Sequence, residues 1–242
     1  VLAQNRERGG YELFETTPIG GTPALFQLNQ THKDPELRAL IGEKDFRVAL
    51  SVALDRTEII ETALLGAGEP WQSGPFEDSP MYHERFSTQH LGYDPAEANR
   101  LLDGLGLTER AGDGTRLMPG GRPLRLTVEV TPEPPELGQI LEMMAMQWQK
   151  VGVDLNVTTV ERSIMFDRIE NNQHDAAFWS DNASWLPGRI PNSLVPLEFD
   201  SRWAMDWVKW HRSEGAQGEE PPQHVKDRYA LFAKAQAATS FE

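Results

Sequence analysis

"LRLTVEVTPEPPELGQILEMMAMQWQKVGVDLNV", residues 124–157, decides the fold. Leu124 to Val130 alternate apolar and polar side chains without a break, the period of a strand whose two faces meet different surroundings. Leu137, Ile140, Leu141, Met144 and Trp148 then recur at helical spacing, and Val151-Gly152 closes that helix. Val153 to Val157 alternates again. Strand, helix and strand in this span form a βαβ unit, whose two strands run parallel through a right-handed crossover.

On the amino-terminal side, Tyr11–Phe14 reads as a short strand and Ala24–Asn29 as a second, mostly apolar one. A polar loop precedes "DFRVALSVALDRTEIIETALLGAGEP", 45–70, which holds two helices. Phe46, Ala49, Leu50, Ala53 and Leu54 stripe the first. Asp55 with Glu58 matches a capping box for the second, which ends at Gly66. Residues 67–92 read as a surface excursion rich in Pro, Gly and Ser. Asp94-Pro95 starts another helix, and 111–123 reads as a hairpin-like loop. Beyond the βαβ unit, a short helix around 164–169 leads to a strand over Asp175–Trp179. Helices bearing Trp203, Trp207 and Trp210, then Val225, Tyr229, Phe232 and Ala235, complete the chain. The sum is α/β: a mixed sheet with its βαβ unit, covered by helices.

At 242 residues the chain suits one large domain or two small ones. Its 23 basic against 37 acidic residues give a formal charge of -14, which argues against nucleic acid and against anionic membrane surfaces as partners. The absence of cysteine excludes disulfides, thiolate metal sites and a cysteine nucleophile. No apolar run of about 18 residues is present. The chain starts at Val1 and stops just after a helical pattern, which suggests a piece cut from a longer protein.

Most catalytic motifs are missing. No glycine-rich phosphate loop, HExxH pair or GxSxG elbow occurs, so neither a metal nor a cofactor is expected. His174 reads as a strand-edge residue rather than a general base, and the Trp203, Trp207, Trp210 stripe as core packing rather than a ligand platform. The stretch "HDAAFWSDNASW", 174–185, is different. Trp179 and Trp185 flank Ser180, Asp181 and Asn182 where a strand gives way to a loop, and α/β sheets bind ligands beyond the carboxyl ends of strands. The tryptophans could pack a sugar ring, an apolar group or a cation while the polar side chains fix hydrogen bonds. Equally, they could anchor the loop to the core.

The motif order resembles one family, the extracellular solute-binding proteins of the peptide/nickel class, family 5, that serve bacterial ABC transporters. The resemblance rests on "LFQLNQ" (25–30), Arg47, Ala49, Leu50, Asp55 and Arg56 in the helix pair, and "GYDPAEANRLLDGLGL" (92–107). It continues through "GGRPLRLTVEV" (120–130), "MQWQKVGVDLNV" (146–157) and "NNQHDAAFWS" (171–180). It implies one lobe of a type II periplasmic-binding-protein-like fold. Residues 1–30 would be hinge-proximal strands, 31–200 the ligand-binding lobe, and 201–242 a helical segment returning toward the hinge. The amino-terminal lobe would precede Val1.

The resemblance implies a non-catalytic, monomeric component of an ABC importer, periplasmic or extracellular, lipid-anchored in a Gram-positive host. Its partners would be a peptide or small-molecule ligand and the permease subunits. It places Trp179, Asp181, Asn182 and Trp185 at the ligand, with Asn29 on the hinge-proximal strand as an addition. Peptide-binding members carry a Trp six and an Asp nine positions after the acidic residue of the last strand. From Asp175 that count lands on Asp181 and Ser184, so a sugar or an opine-like conjugate is expected on equal terms with a peptide. The rival readings are a hydrolase using Asp175 or Asp181 with a glutamate, and a non-catalytic interaction module.

Overall fold

The computed structural model describes residues 5–12, 14, 24–180 and 191–238. Its strands are β1 (Leu25–Leu28), β2 (Arg125–Val130), β3 (Asp154–Thr159) and β4 (Ala176–Trp179). The helices are α1 (Arg6–Gly9), α2 (Pro35–Gly42), α3 (Lys44–Val52), α4 (Arg56–Ala63) and α5 (Glu84–Thr88). They continue as α6 (Pro95–Gly104), α7 (Pro135–Lys150), α8 (Arg162–Glu170), α9 (Met205–Arg212) and α10 (Gln223–Ala237).

The βαβ unit forms as the alternation predicts. β2 and β3 pair in parallel, Leu126 opposite Leu155 and Val128 opposite Val157, and α7 buries Leu137, Ile140, Leu141, Met144 and Trp148. The turn from α7 into β3 needs Gly152, which sits at φ +85°. A Cβ there would stand 2.8 Å from Arg116 Cγ and 3.0 Å from the Gly114 carbonyl oxygen. β4 slots beside β2 in parallel and pairs β1 antiparallel, Leu25 opposite Trp179 and Leu28 opposite Ala176. The order β1-β4-β2-β3 makes the sheet mixed and leaves β1 and β3 at its edges.

Two helices start by the same device. Asp94 accepts from the Glu97 amide with Pro95 in the first turn, and Asp34 accepts from the Glu36 and Leu37 amides with Pro35 in the same place. The second of these starts α2, within the stretch expected to be a polar loop. α2 has only eight residues, yet Leu37, Leu40 and Ile41 bury one face. The capping box of α4 forms on one side only. Asp55 accepts from the Glu58 amide at 3.0 Å, but Gln147 of α7 supplies the return. The Asp55 amide donates to Gln147 Oε1 at 2.9 Å, and Gln147 Nε2 donates to Glu58 at 2.8 Å. One buried amide therefore ties the start of α4 to α7.

The hairpin-like loop closes through antiparallel bridges, Arg110 with Arg116 and Leu117 with Pro123. Arg116 is buried. It donates to the Val151 carbonyl at 2.8 Å, to Asp103 at 2.6 Å, to Asn99 Oδ1 at 2.7 Å and to the Leu107 carbonyl. No strand forms at residues 11, 12 and 14, and Leu13 lies outside the described residues.

The core is divided by the sheet. Phe46, Leu50, Leu102, Leu126, Leu141, Trp148 and Phe178 belong to the large cluster on one face. Met165, Ile169, Ala177, Met205 and Val208 form a smaller one on the other. Trp203, Ala204, Trp207 and Val225 make a third, so most of the expected tryptophan stripe is indeed core.

Candidate functional site

A cavity of about 640 Å³ opens along β1, within the range typical of sites for small ligands. Phe26 and Phe178 line its sheet side, with Ile140, Met144 and Trp148 of α7. Arg47, Leu50 and Ser51 of α3, Arg56 and Ile60 of α4, Leu64 just after it, and the 67–76 segment with Trp71 and Phe76 supply further wall, and Trp203 and Arg228 also line it. Phe26 meets Trp148 edge to face at 5.0 Å and lies 6.4 Å from Phe178. Trp71 packs between Phe76 and Tyr82, each at 6.3 Å.

The cavity's indole N–H groups are spent internally. Trp148 donates to the Leu50 carbonyl at 2.9 Å, Trp71 to Gly74 at 3.2 Å, and Trp203 to Asn192 at 2.8 Å. Trp148 and Trp203 are themselves buried, so of these three rings it is the half-buried Trp71 that leaves apolar surface open. A polar strip runs beside them. Ser51 Oγ donates to the His90 carbonyl at 2.9 Å and accepts from Arg56 at 2.8 Å. Arg56 also donates to the Ser51 carbonyl at 2.9 Å, and Arg47 donates to the Ile41 and Gly42 carbonyls at 2.6 and 2.8 Å. Burial pushes the Arg56 guanidinium down to about 10, and burial likewise lowers Arg47 against a weaker opposing pull from Glu43.

The residues expected at the ligand are distributed differently. Trp179 lies on the other face of the sheet from this cavity. It meets Phe166 edge to face at 5.2 Å, and Arg162 lies over it at 5.0 Å. Its neighbour Phe178 is the β4 aromatic at the cavity, because successive side chains of a strand point to opposite faces. Asp181, Asn182 and Trp185 lie outside the described residues.

Asn29 is fully buried, which corrects the expectation that it faces ligand. Its amide donates to Asn172 Oδ1 at 2.7 Å and to the His174 carbonyl at 2.9 Å. Its oxygen accepts from the amide and hydroxyl of Thr31, both at 3.0 Å. A carboxamide with both donors and both acceptor positions used has nothing left for a ligand. Asn29 instead fastens β1 to the turn before β4. Asn172, which sequence reasoning missed, sits in that turn at φ +54° and donates to Thr31 and to Asp206, both at 2.7 Å.

Asp175 is committed to the same junction. One oxygen accepts from His32 Nε2 at 2.9 Å, the other from the Thr127 amide at 2.8 Å. His32 Nδ1 accepts from the Asp34 amide, which puts its proton on Nε2. His174 is buried at the same place, and its Nε2 donates to the Arg202 carbonyl at 2.8 Å. Burial lowers its pKa to about 4, so it is neutral at pH 7, and its Nδ1 has no hydrogen-bond partner among the described residues. Among the described residues no cluster of three or more His, Asp or Glu could hold a metal, and no helix is long and apolar enough to cross a membrane.

The family model for bacterial extracellular solute-binding proteins, family 5 (Middle), matches residues 2–200. The chain belongs to this family. Among its relatives, di/tripeptide-binding protein 1 of Pseudomonas aeruginosa is 28% identical over 181 residues, covering 72% of this chain and 30% of that protein. A periplasmic alpha-galactoside-binding protein of Rhizobium meliloti is 25% identical over 162 residues, 63% of this chain and 22% of that protein. The fold of an oligopeptide-binding protein, OppA, superposes with a TM-score of 0.84 at 28% identity, over 99% of this chain and 40% of that one. MelB of Agrobacterium fabrum, solved with stachyose, gives 0.69 at 19% identity, over 90% of this chain and 34% of that one. The chain thus spans well under half the length of these relatives, and its sheet is of the type II periplasmic-binding-protein kind.

Proposed function

We propose that the chain is a lobe of the solute-binding component of an ABC importer, and that the cavity along β1 forms part of the surface that captures the solute. The observation that carries this reading is a cavity of about 640 Å³ walled by Phe26, Trp71, Trp148 and Phe178 in a chain of family 5. The role is non-catalytic. A solute bridging this lobe and a second one stabilises the closed form by its differential affinity for the closed and open states. The intact protein works outside the cell membrane, periplasmic or lipid-anchored, and delivers solute to permease subunits.

Asp181, Asn182 and Trp185, which follow β4 in the sequence, are proposed as further ligand-contacting residues. Di- and tripeptides, galactosides and opine-like conjugates are the solute classes to test, the first two suggested by the relatives. The hydrolase reading is disfavoured, since both carboxylate oxygens of Asp175 are held by His32 and the Thr127 amide. A thermal-shift screen of the intact protein against the three classes tests the proposal. A rise in melting temperature with at least one class, and recovery of that solute unchanged, is expected. Turnover of the solute, or no shift with any class, contradicts it.

A further inference from the structure

The cavity opens along β1, and the opposite edge of the sheet belongs to β3. The Asp154 amide donates to the Leu124 carbonyl at 3.1 Å and the Val160 amide to the Val130 carbonyl at 2.9 Å. With the one-to-one register between the strands, the even-numbered residues of β3 therefore bond to β2. In a parallel ladder the intervening residues turn their N–H and C=O groups the other way. Those of Leu155, Val157 and Thr159 make no hydrogen bond among the described residues. Proteins commonly blunt such an edge with a proline, a lysine or a bulge. The sequence "DLNVTT", 154–159, has none of these, its register with β2 is unbroken, and its one charged residue, Asp154, is tied to Arg125 at 2.5 Å.

Beside this edge, α7 walls a groove of about 650 Å³. Gly138, Glu142, Ala145 and Met146 line it, one stripe of the helix at three- and four-residue spacing. A Cβ added at Gly138 would meet nothing within 4 Å, and Met146 is 62% exposed, so the groove has both room and apolar surface. Ile140, Met144 and Trp148 of the same helix line the cavity instead. The helix thus parts the two, and the groove can be filled without blocking the cavity. An open strand edge beside a helix offers an extended peptide backbone partners at about 4.8 Å and a pocket for its alternate side chains.

Charge selects the occupant. Glu142 is exposed and forms no ion pair among the described residues. A second copy would bring its own formal charge of -14 and its own Glu142 to the same groove. A segment bearing lysine or arginine would be drawn to it. We propose that the β3 edge and the α7 groove dock an extended, basic segment of a partner protein. That segment adds a strand to the sheet through Leu155, Val157 and Thr159, sets an apolar side chain beside Met146 and pairs a cationic one with Glu142. The docking surface stands whether or not the cavity is the solute site.

The test uses the intact protein with a capped probe, acetyl-threonyl-valyl-lysyl-valyl-threonyl amide, and its counterpart with glutamate in place of lysine. Fluorescence anisotropy of the labelled probes reads affinity, and hydrogen exchange resolved to single amides reads the place. In the free protein the amides of Leu155, Val157 and Thr159 should exchange faster than those of Asn156 and Thr158, and the lysine probe should slow them. Thr159→Pro removes an outward N–H and spares the ladder to β2, so it should weaken the lysine probe roughly 10-fold at a melting temperature close to that of the parent. Glu142→Lys alters only an exposed side chain, and should turn a preference for the lysine probe into one for the glutamate probe, by about 5-fold. Slow exchange at the three amides without probe would mean that another part of the chain covers the edge. Self-association that Thr159→Pro abolishes would mean that a second copy occupies it. Either result overturns the proposal, as does failure of the lysine probe to bind, or binding that neither variant changes.

Discussion

The two halves of the sheet are built on opposite terms. On the β2–β3 side, six residues of each strand pair in parallel, α7 lays a continuous apolar stripe across them, and Gly152 and Arg116 lock the turn between. On the β1–β4 side only four residues pair, the strands run antiparallel, and polar side chains hold the junction: Asn29, Thr31, Asn172, His32 and Asp175. The cavity opens on this second side. A close-packed half supplies rigidity, and the half joined by directional hydrogen bonds leaves concave surface beside it. This division suits a receptor, because a site is held best by a scaffold that does not itself move.

The contrast breaks most severely at Gly152. Replacing it with alanine forces a left-handed backbone onto an L side chain and drives a Cβ into Arg116 and the Gly114 carbonyl. Gly152→Ala should cost about 3 kcal/mol or more, read by chemical denaturation. A loss below 1 kcal/mol would mean that the turn has freedom the packing denies it.

The polar half should show itself in pH dependence. His174 has its folded pKa lowered from 6.5 to about 4, so between those values the unfolded chain binds a proton that the folded chain refuses. The stability it contributes is fully present above pH 6.5 and falls as pH drops toward 4, by on the order of 3 kcal/mol. His211, stacked on Tyr229 and lowered by burial, adds a smaller loss of the same sign. Denaturation midpoints across this range should be flatter in His174→Gln, and an unchanged slope would remove His174 as the cause. The carboxylates lowered by arginine partners, Glu36 and Glu219 among them, act only at lower pH.

A smaller effect belongs to the packed half. Gln147→Ala removes the amide joining α4 to α7 and leaves the Asp55 N–H without its partner. A loss of about 1–2 kcal/mol is expected, with α7 otherwise intact.

The same division decided what the sequence made legible. Leu124–Val130, α7 and Val153–Val157 announce themselves by period, since each buries its own regular stripe. Asp94-Pro95 signalled α6, and Asp34-Pro35 carries the identical signal for α2, which is short and lies in a polar stretch. The junction was far less readable. Asn29 and Asn172 meet across 143 positions, and nothing local distinguishes a buried, saturated asparagine from one that faces a ligand. The strand over Ala176–Trp179 was visible, but which of Phe178 and Trp179 faces the cavity depends on register with β1 and on what covers each face. Trp71 and Phe76 sit in an excursion rich in proline and glycine, where no periodicity marks a wall.

The central claim is that the cavity along β1 belongs to the solute site, and filling it tests that most directly. Ala67 is exposed on the cavity wall, so Ala67→Trp adds bulk there without disturbing the core. Calorimetric titration of the intact protein and this variant, with whichever solute raises the melting temperature, should show at least about a 10-fold loss of affinity at unchanged stability. Equal affinity in the two proteins would place the solute elsewhere and contradict the account.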